Sequence, residues 1–332
     1  MMPAHSNNTV PTTLAQFQIL TTTYKTVHGH DITTDILIPR SLSTNTPQTP
    51  RPILLRYHGG GLIAGSSLFP AFFNPWYLEL AETHGTIIIS PNYRLLPEAT
   101  FEDIMGDIED HWQWMHRPMP SFLATQTDGR LAADLDRIIT GGDSAGGYLS
   151  LQTALNHPDM IRAVTATYPM VVVKSDQMVG DYEKPVYGLP SYPRSTLADH
   201  LASVEKQESQ TGQKVIVTAD HGEERLKLMF AICQHGLVGP LLSADQRMYP
   251  LERLRLGARF PAGGILILHG CQDSVVPVQE SFLLKEATQK AQPDLAFKLV
   301  TREGEHGFDH AASSKDEWLH DAVREIVDSW LS

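Results

Sequence analysis

Along most of the 332-residue chain, short apolar runs rich in β-branched residues alternate with longer segments whose apolar positions recur at helical spacing. Residues 17–27 and 31–38 are β-rich and joined at His28-Gly29-His30, which predicts a hairpin. Further strands are predicted at 53–57, 86–90, 137–140, 162–168, 264–268 and 295–300, of which 53–57, 86–90 and 264–268 are built on apolar runs of three or more, as buried strands are. Helices are predicted between them at 72–84, 101–117, 148–155, 278–290 and 314–331. Ile104, Ile108, Trp112 and Met115 share one helical face and read as core. Such alternation implies the α/β class, with a mostly parallel sheet covered by helices on both faces. From 174 to 257 the rhythm lapses. A proline- and tyrosine-containing stretch (182–193), a polar helical one (197–210) and a leucine- and methionine-rich one follow each other, as expected of an insertion over the carboxyl ends of the strands.

Composition narrows the class. A hydrophobic content of 42% against 19% charged residues supports a large packed core. The formal net charge of −12, with no basic block or stripe, argues against nucleic acid or an anionic membrane as partner. Two cysteines, Cys233 and Cys271, are too few for a disulfide framework. Residues 1–13 lack the apolar stretch of a signal peptide, and no apolar run approaches the ~20 residues of a membrane span. The expectation is a cytoplasmic protein without a membrane span, acting on a small molecule, with homo-oligomerisation left open.

The chemistry is concentrated in four places. Gly142-Asp143-Ser144-Ala145-Gly146-Gly147 follows a predicted strand and opens a helix. A serine held between glycines at such a junction is a nucleophile elbow, because the tight turn leaves no room for side chains two residues to either side. A phosphate-binding loop would need Lys-Ser/Thr where Gly147-Tyr148 stand. His58-Gly59-Gly60-Gly61 directly follows the 53–57 strand, the pattern that supplies backbone N–H groups beside an elbow serine. A serine hydroxyl needs a base, and the base an orienting acid, in chain order serine, acid, histidine. Asp273 ends the 264–268 strand segment and is the candidate acid, with Glu280 in the next helix as runner-up; His306, flanked by glycines in the following loop, is the candidate base. Glu305 and Asp309 are expected to be solvated loop charges. His28 with His30, and His306 with His310, are disfavoured as metal pairs because nothing completes a ligand set. No metal or organic cofactor is expected.

His58-Gly59-Gly60-Gly61, the Gly142 to Gly147 segment and Pro91-Asn92-Tyr93-Arg94-Leu95-Leu96-Pro97-Glu98 together resemble the hormone-sensitive-lipase-like branch of the α/β-hydrolases. The chain is similar, too, to fungal hydrolases of this branch, several of which accompany secondary-metabolite pathways. The resemblance runs from about Tyr24 to the end, excepting much of 174–257. It implies an eight-stranded sheet, a catalytic core of residues 17–173 and 258–332, and a cap of residues 1–16 and 174–257. It implies carboxylic-ester hydrolysis by Ser144, His306 and Asp273, with an oxyanion hole of the Gly60, Gly61 and Ala145 N–H groups. The segment around Asp273, His-Gly-x-x-Asp-x-x-Val-Pro, instead resembles prolyl-oligopeptidase relatives, although the chain has no room for their propeller domain. Leu226, Leu228, Met229, Phe230, Ile232, Leu237, Val238, Leu241 and Leu242 are expected to divide between the cap's own core and an apolar, acyl- or polyketide-sized pocket. Short to medium, neutral, hydrophobic esters are the expected substrates. The alternatives are an acyl-transfer, thioester-release or cyclisation enzyme of a biosynthetic pathway, and a ligand-binding receptor, which would carry a broken triad.

Overall fold

The computed structural model describes residues 14–42, 49–220 and 222–332. Eight strands form one sheet: β1 (Phe17–Val27), β2 (His30–Pro39), β3 (Arg51–Tyr57), β4 (Ile87–Pro91), β5 (Ala133–Gly142), β6 (Ala163–Thr167), β7 (Ile265–Gly270) and β8 (Phe297–Arg302), in the spatial order β1-β2-β4-β3-β5-β6-β7-β8. The β1–β2 hairpin is antiparallel and β2 runs antiparallel to β4; every other pairing is parallel. The helices are α1 (Pro75–His84), α2 (Phe101–His116), α3 (Pro118–Gln126), α4 (Ala145–Asn156), α5 (Asp176–Val179), α6 (Thr196–Thr211), α7 (Glu223–His235), α8 (Pro250–Arg255), α9 (Gln279–Ala291) and α10 (Glu317–Leu331).

The central strands are apolar on both sides because both sides are covered. Side chains alternate along a strand, so Ile53, Leu55, Ile87 and Ile89 enter one core with residues of α2, α4, α7 and α8. Leu54 and Ile88 enter the other, with α1 and α10. Ile104, Ile108, Trp112 and Met115 are all buried in the first, as their spacing requires. Complete burial of one such side chain is worth about 1.5–3 kcal/mol, which far exceeds any local propensity. The start of α2 is set locally: the Thr100 hydroxyl accepts from Asp103 N–H at 3.1 Å, and the Asp103 carboxylate accepts from Thr100 N–H at 3.0 Å. The expected arm lies mostly in residues 1–13, outside the described ones, but Leu14 is already buried in the second core.

Parallel strands point their carboxyl ends one way, and the loops after β3, β5, β7 and β8 carry the four motifs to one edge of the sheet. α5 to α8 lie between β6 and β7, in the stretch where the strand–helix rhythm lapses. That stretch is fastened to the core. Gly65 and Asp220 exchange two backbone hydrogen bonds at 3.0 Å, and Leu95 N–H donates to Val217 O at 2.8 Å. Arg225 of α7 forks onto Glu98 at 2.6 Å and also donates to the Ile63 and Leu96 carbonyls, while His200 of α6 lies 2.7 Å from the same carboxylate. The Glu98 side chain is buried, yet hydrogen bonds from His200 and the Arg225 guanidinium outweigh that burial and hold its carboxyl down at about 2.

No helix of the described residues is long and apolar enough to cross a membrane.

Candidate active site

Ser144 caps the N-terminus of α4 with φ 56° and ψ −117°, a conformation that side-chain-bearing residues rarely adopt. The neighbouring glycines are there because nothing else fits. A Cβ on Gly142 would lie 2.4 Å from the Gly146 carbonyl, and one on Gly146 would lie 2.2 Å from Tyr57 O. The turn is stitched to the end of β6, since Ser144 N–H donates to Thr167 O at 2.9 Å and Met170 N–H donates to Ser144 O at 3.2 Å.

The elbow leans on an ion pair. Asp143 is buried and accepts from Arg56 of β3 at 3.1 Å, and the guanidinium lies 4.0 Å from the centre of the Phe73 ring. Burial pushes the Asp143 carboxyl up, with Arg56 opposing. A Cβ on Gly59 would strike that carboxylate at 2.4 Å, so the His58–Gly61 loop and the elbow are packed directly together. Gly60 (φ 102°) and Gly61 (φ 64°) both need the left-handed region. Among the described residues, neither their N–H groups nor that of Ala145 donates a backbone hydrogen bond outside helices and strands. Ala145 begins α4 and has no intrahelical acceptor. The Pro91–Glu98 motif braces this loop: Tyr93 stacks on His58 at 4.3 Å and donates to His58 O at 2.7 Å, and Arg94 is locked onto Asp107 at 2.8 Å.

On the other side, His306 Nδ1 lies 2.7 Å from Asp273 Oδ2. The second oxygen, Oδ1, accepts from Val275 and Val276 N–H at 2.9 and 2.7 Å. Buried His269, on β7, brings Nε2 to 3.3 Å from Oδ2 and 2.9 Å from Val276 O, while its Nδ1 meets the Ser281 hydroxyl at 2.7 Å. Burial disfavours charge on Asp273, but the His306 charge and the hydrogen bonds of both histidines outweigh it and hold the carboxyl well below the ordinary range. Tyr168, one residue beyond β6, sets its ring 4.4 Å from that of His306. Asp273 and His306 thus come from the ends of β7 and β8 and touch, while Ser144, from the end of β5, is anchored on Thr167 at the end of β6, next to the Tyr168 that faces His306.

Glu280 faces elsewhere. It is buried, and one oxygen accepts from Val171 and Val172 N–H at 2.9 and 2.7 Å, where the chain leaves β6. Burial raises its carboxyl to about 7 against those two hydrogen bonds. A folded value above the ~4.3 of a free glutamate means that the folded state holds the extra proton, so stability falls as pH rises from about 4.5 to 7. Glu280→Gln, which keeps an acceptor oxygen and carries no charge, is expected to match the wild-type Tm at pH 5 and exceed it at pH 8. Melts across that range check this, and equal pH dependence in both proteins would remove Glu280 as its source.

Two expectations are corrected. Asp309 is not a solvated charge: it is buried and accepts from Asn74 Nδ2 at 2.8 Å and Trp76 Nε1 at 3.0 Å, and burial raises its carboxyl. Glu305 is half-buried and accepts from Ser274 N–H at 2.6 Å and His306 N–H at 2.8 Å, tying the acid loop to the histidine loop. His30 lies 3.0 Å from the Thr218 hydroxyl and His310 lies 3.4 Å from the Tyr168 hydroxyl. His269, Tyr168 and Arg56 were not singled out from sequence. Arg56 carried a signal: a charge within an otherwise apolar strand requires a buried partner, and Asp143 supplies it.

Strand order and site together define an α/β-hydrolase. Residues 54–227 match the α/β-hydrolase fold family, and the chain belongs to it. It is similar to a probable carboxylesterase of Phoma sp., 28% identical over 310 residues, which span 92% of this chain and 94% of that one. It is similar over 90% of its length to 13% of a non-reducing polyketide synthase of Aspergillus calidoustus, at 25% identity. Its fold resembles that of Thermogutta terrifontis esterase 2, with a TM-score of 0.57 at 21% identity over 96% of this chain and 95% of the other.

Proposed function

We propose that this α/β-hydrolase is a serine carboxylesterase for small to medium, neutral, hydrophobic esters, with Ser144 as nucleophile, His306 as base and Asp273 as orienting acid. The observation that carries the reading is the 2.7 Å contact of His306 Nδ1 with Asp273 Oδ2, supported by the strained elbow serine and by Tyr168, one residue beyond the strand end that holds Ser144, against the His306 ring. Asp273 fixes the proton on Nδ1 and leaves Nε2 free to take the Ser144 proton. The serine oxygen bonds to the ester carbonyl carbon, and the resulting oxyanion is met by the N–H groups of Gly60, Gly61 and Ala145, each worth about 3 kcal/mol. His306 returns the proton to the leaving alkoxide as the carbon–oxygen bond breaks. A water molecule then gives its proton to His306 and attacks the acyl-enzyme, releasing the acid and restoring Ser144. Residues 174–257 serve as a cap over this site, with Met229 of α7 close above Gly61.

Release of a thioester-bound acyl chain is the second reading, favoured by the similarity of nearly the whole chain to one segment of a polyketide synthase. Incubation with matched ester, thioester and amide panels, with products identified by mass spectrometry, separates the two. Esters are expected to yield free acid and alcohol with the amides untouched; hydrolysis confined to thioesters would overturn the esterase reading.

A further inference from the structure

The segment between β6 and β7 brings three aromatic rings toward His306. Tyr187 and Phe230 meet edge to face with centroids 6.0 Å apart, and Phe230 is stacked on Tyr192 at 6.2 Å with the planes 10° apart. The Tyr187 ring stands 6.0 Å from the His306 ring at 74°. Tyr187 is held there by its backbone. It takes φ 53°, followed by Gly188 at φ 62°, and its N–H donates to Ser274 Oγ at 3.0 Å, one residue from Asp273. Bulky side chains are seldom held in that left-handed region unless the surroundings impose it. Tyr187 nevertheless remains 36% exposed, and Tyr192 and Phe230, the latter packed against the first core, are only half-buried, so part of this aromatic surface stays open.

The two sides of the site differ. Above Gly61 lies an aliphatic thioether, with Met229 Cγ 3.3 Å from where a Gly61 Cβ would be. Beside His306 lies the aromatic wall. A base that hands its proton to the leaving oxygen has the leaving group next to it, so the wall borders the alcohol and not the acyl chain. Nearby charges are already engaged: Asp273 by His306 and His269, and Glu305 by the Ser274 and His306 N–H groups. A charged ligand would find no partner among them.

We propose that Tyr187, Phe230 and Tyr192 form a leaving-group subsite that takes a neutral alcohol bearing a planar aromatic ring. The proposal rests on the reading of His306 as base. Aromatic pairs outperform equal apolar area, and stacking of this kind translates to about a fivefold preference in kcat/KM.

The test uses benzyl and cyclohexylmethyl butyrates, which match in size and differ in the ring. Wild type is expected to prefer the benzyl ester about fivefold, and Tyr187→Leu and Phe230→Leu are each expected to bring the ratio toward one. Because the ratio is taken within each protein, a general loss of activity does not imitate the result. If Tyr187→Leu fails to fold, Phe230→Leu carries the test. A second pair, ethyl phenylacetate and ethyl cyclohexylacetate, places the rings on the acyl side, where the variants are expected to leave the ratio unchanged. A wild-type benzyl ratio of one, a ratio that persists in the variants, or a shift confined to the acyl-side pair would overturn the subsite. Turnover of none of the four esters would overturn the esterase reading and the subsite with it.

Discussion

Ser144→Ala is expected to lower kcat/KM for any ester the protein turns over by about 10⁶, the scale of losing the nucleophile of a serine–histidine pair. The fold is expected to survive the change. The strain at φ 56° belongs to the backbone and is imposed by contacts around Gly142 and Gly146, and alanine meets the same constraint as serine. Removing the hydroxyl also strands no buried partner, because Ser144 is anchored by its backbone to Thr167 and Met170. The measurement is kcat/KM beside a thermal melt. A folded variant within tenfold of wild type would remove Ser144 from the chemistry. A variant that lost ester cleavage but still released acyl thioesters would point to a route that does not use this serine.

The sheet and the motifs were legible because each rests on local pattern. Runs such as Ile87-Ile88-Ile89 are apolar on both faces only where both faces are covered, and the elbow glycines carry a short fixed spacing, although the backbone that crowds Gly146 is that of Tyr57 on β3. Helix α3, which carries Pro118 and Pro120, is not among the helices predicted from sequence. Both sit in its first turn, where the missing N–H groups have no intrahelical role. The burial of Asp309 was invisible because its partners, Asn74 and Trp76, lie more than 230 residues away in sequence. The Pro91–Glu98 motif was recognised by resemblance alone. Its physical content needed the structure: Tyr93 braces the loop of Gly60 and Gly61 through His58, Arg94 ties the motif to α2, and Glu98 anchors α6 and α7. The arrangement of residues 174–257 was the least legible, because their order depends on ties to the core such as Arg225 to Glu98 and Asp220 to Gly65.

Asp273→Asn is expected to reduce kcat/KM by about 10⁴, and the hydrogen bonds around the carboxylate dictate why. Val275 and Val276 both donate to Oδ1, so the asparagine carbonyl must occupy that position and the amide nitrogen must replace Oδ2. That nitrogen then points its hydrogens at His306 Nδ1 and at His269 Nε2. His269 has no freedom to turn, because Nε2 also serves Val276 O and Nδ1 is met by the Ser281 hydroxyl. His306 must therefore accept at Nδ1 and carry its proton on Nε2, the nitrogen required to take the Ser144 proton. The variant is also expected to lose a pH-dependent part of its stability. Asp273 is held below the ordinary carboxylate range in the folded state, so its contribution is present above the free value of ~3.9 and fades as pH falls through the folded value. Wild type is thus expected to exceed the variant in Tm at neutral pH, with the gap narrowing in acid. Kinetics at pH 7 to 8 and melts from pH 3 to 8 check both parts. If Asp273→Asn kept near wild-type activity while Glu280→Gln lost it, the orienting acid would be Glu280, and the 2.7 Å contact between Asp273 and His306 would be structural only.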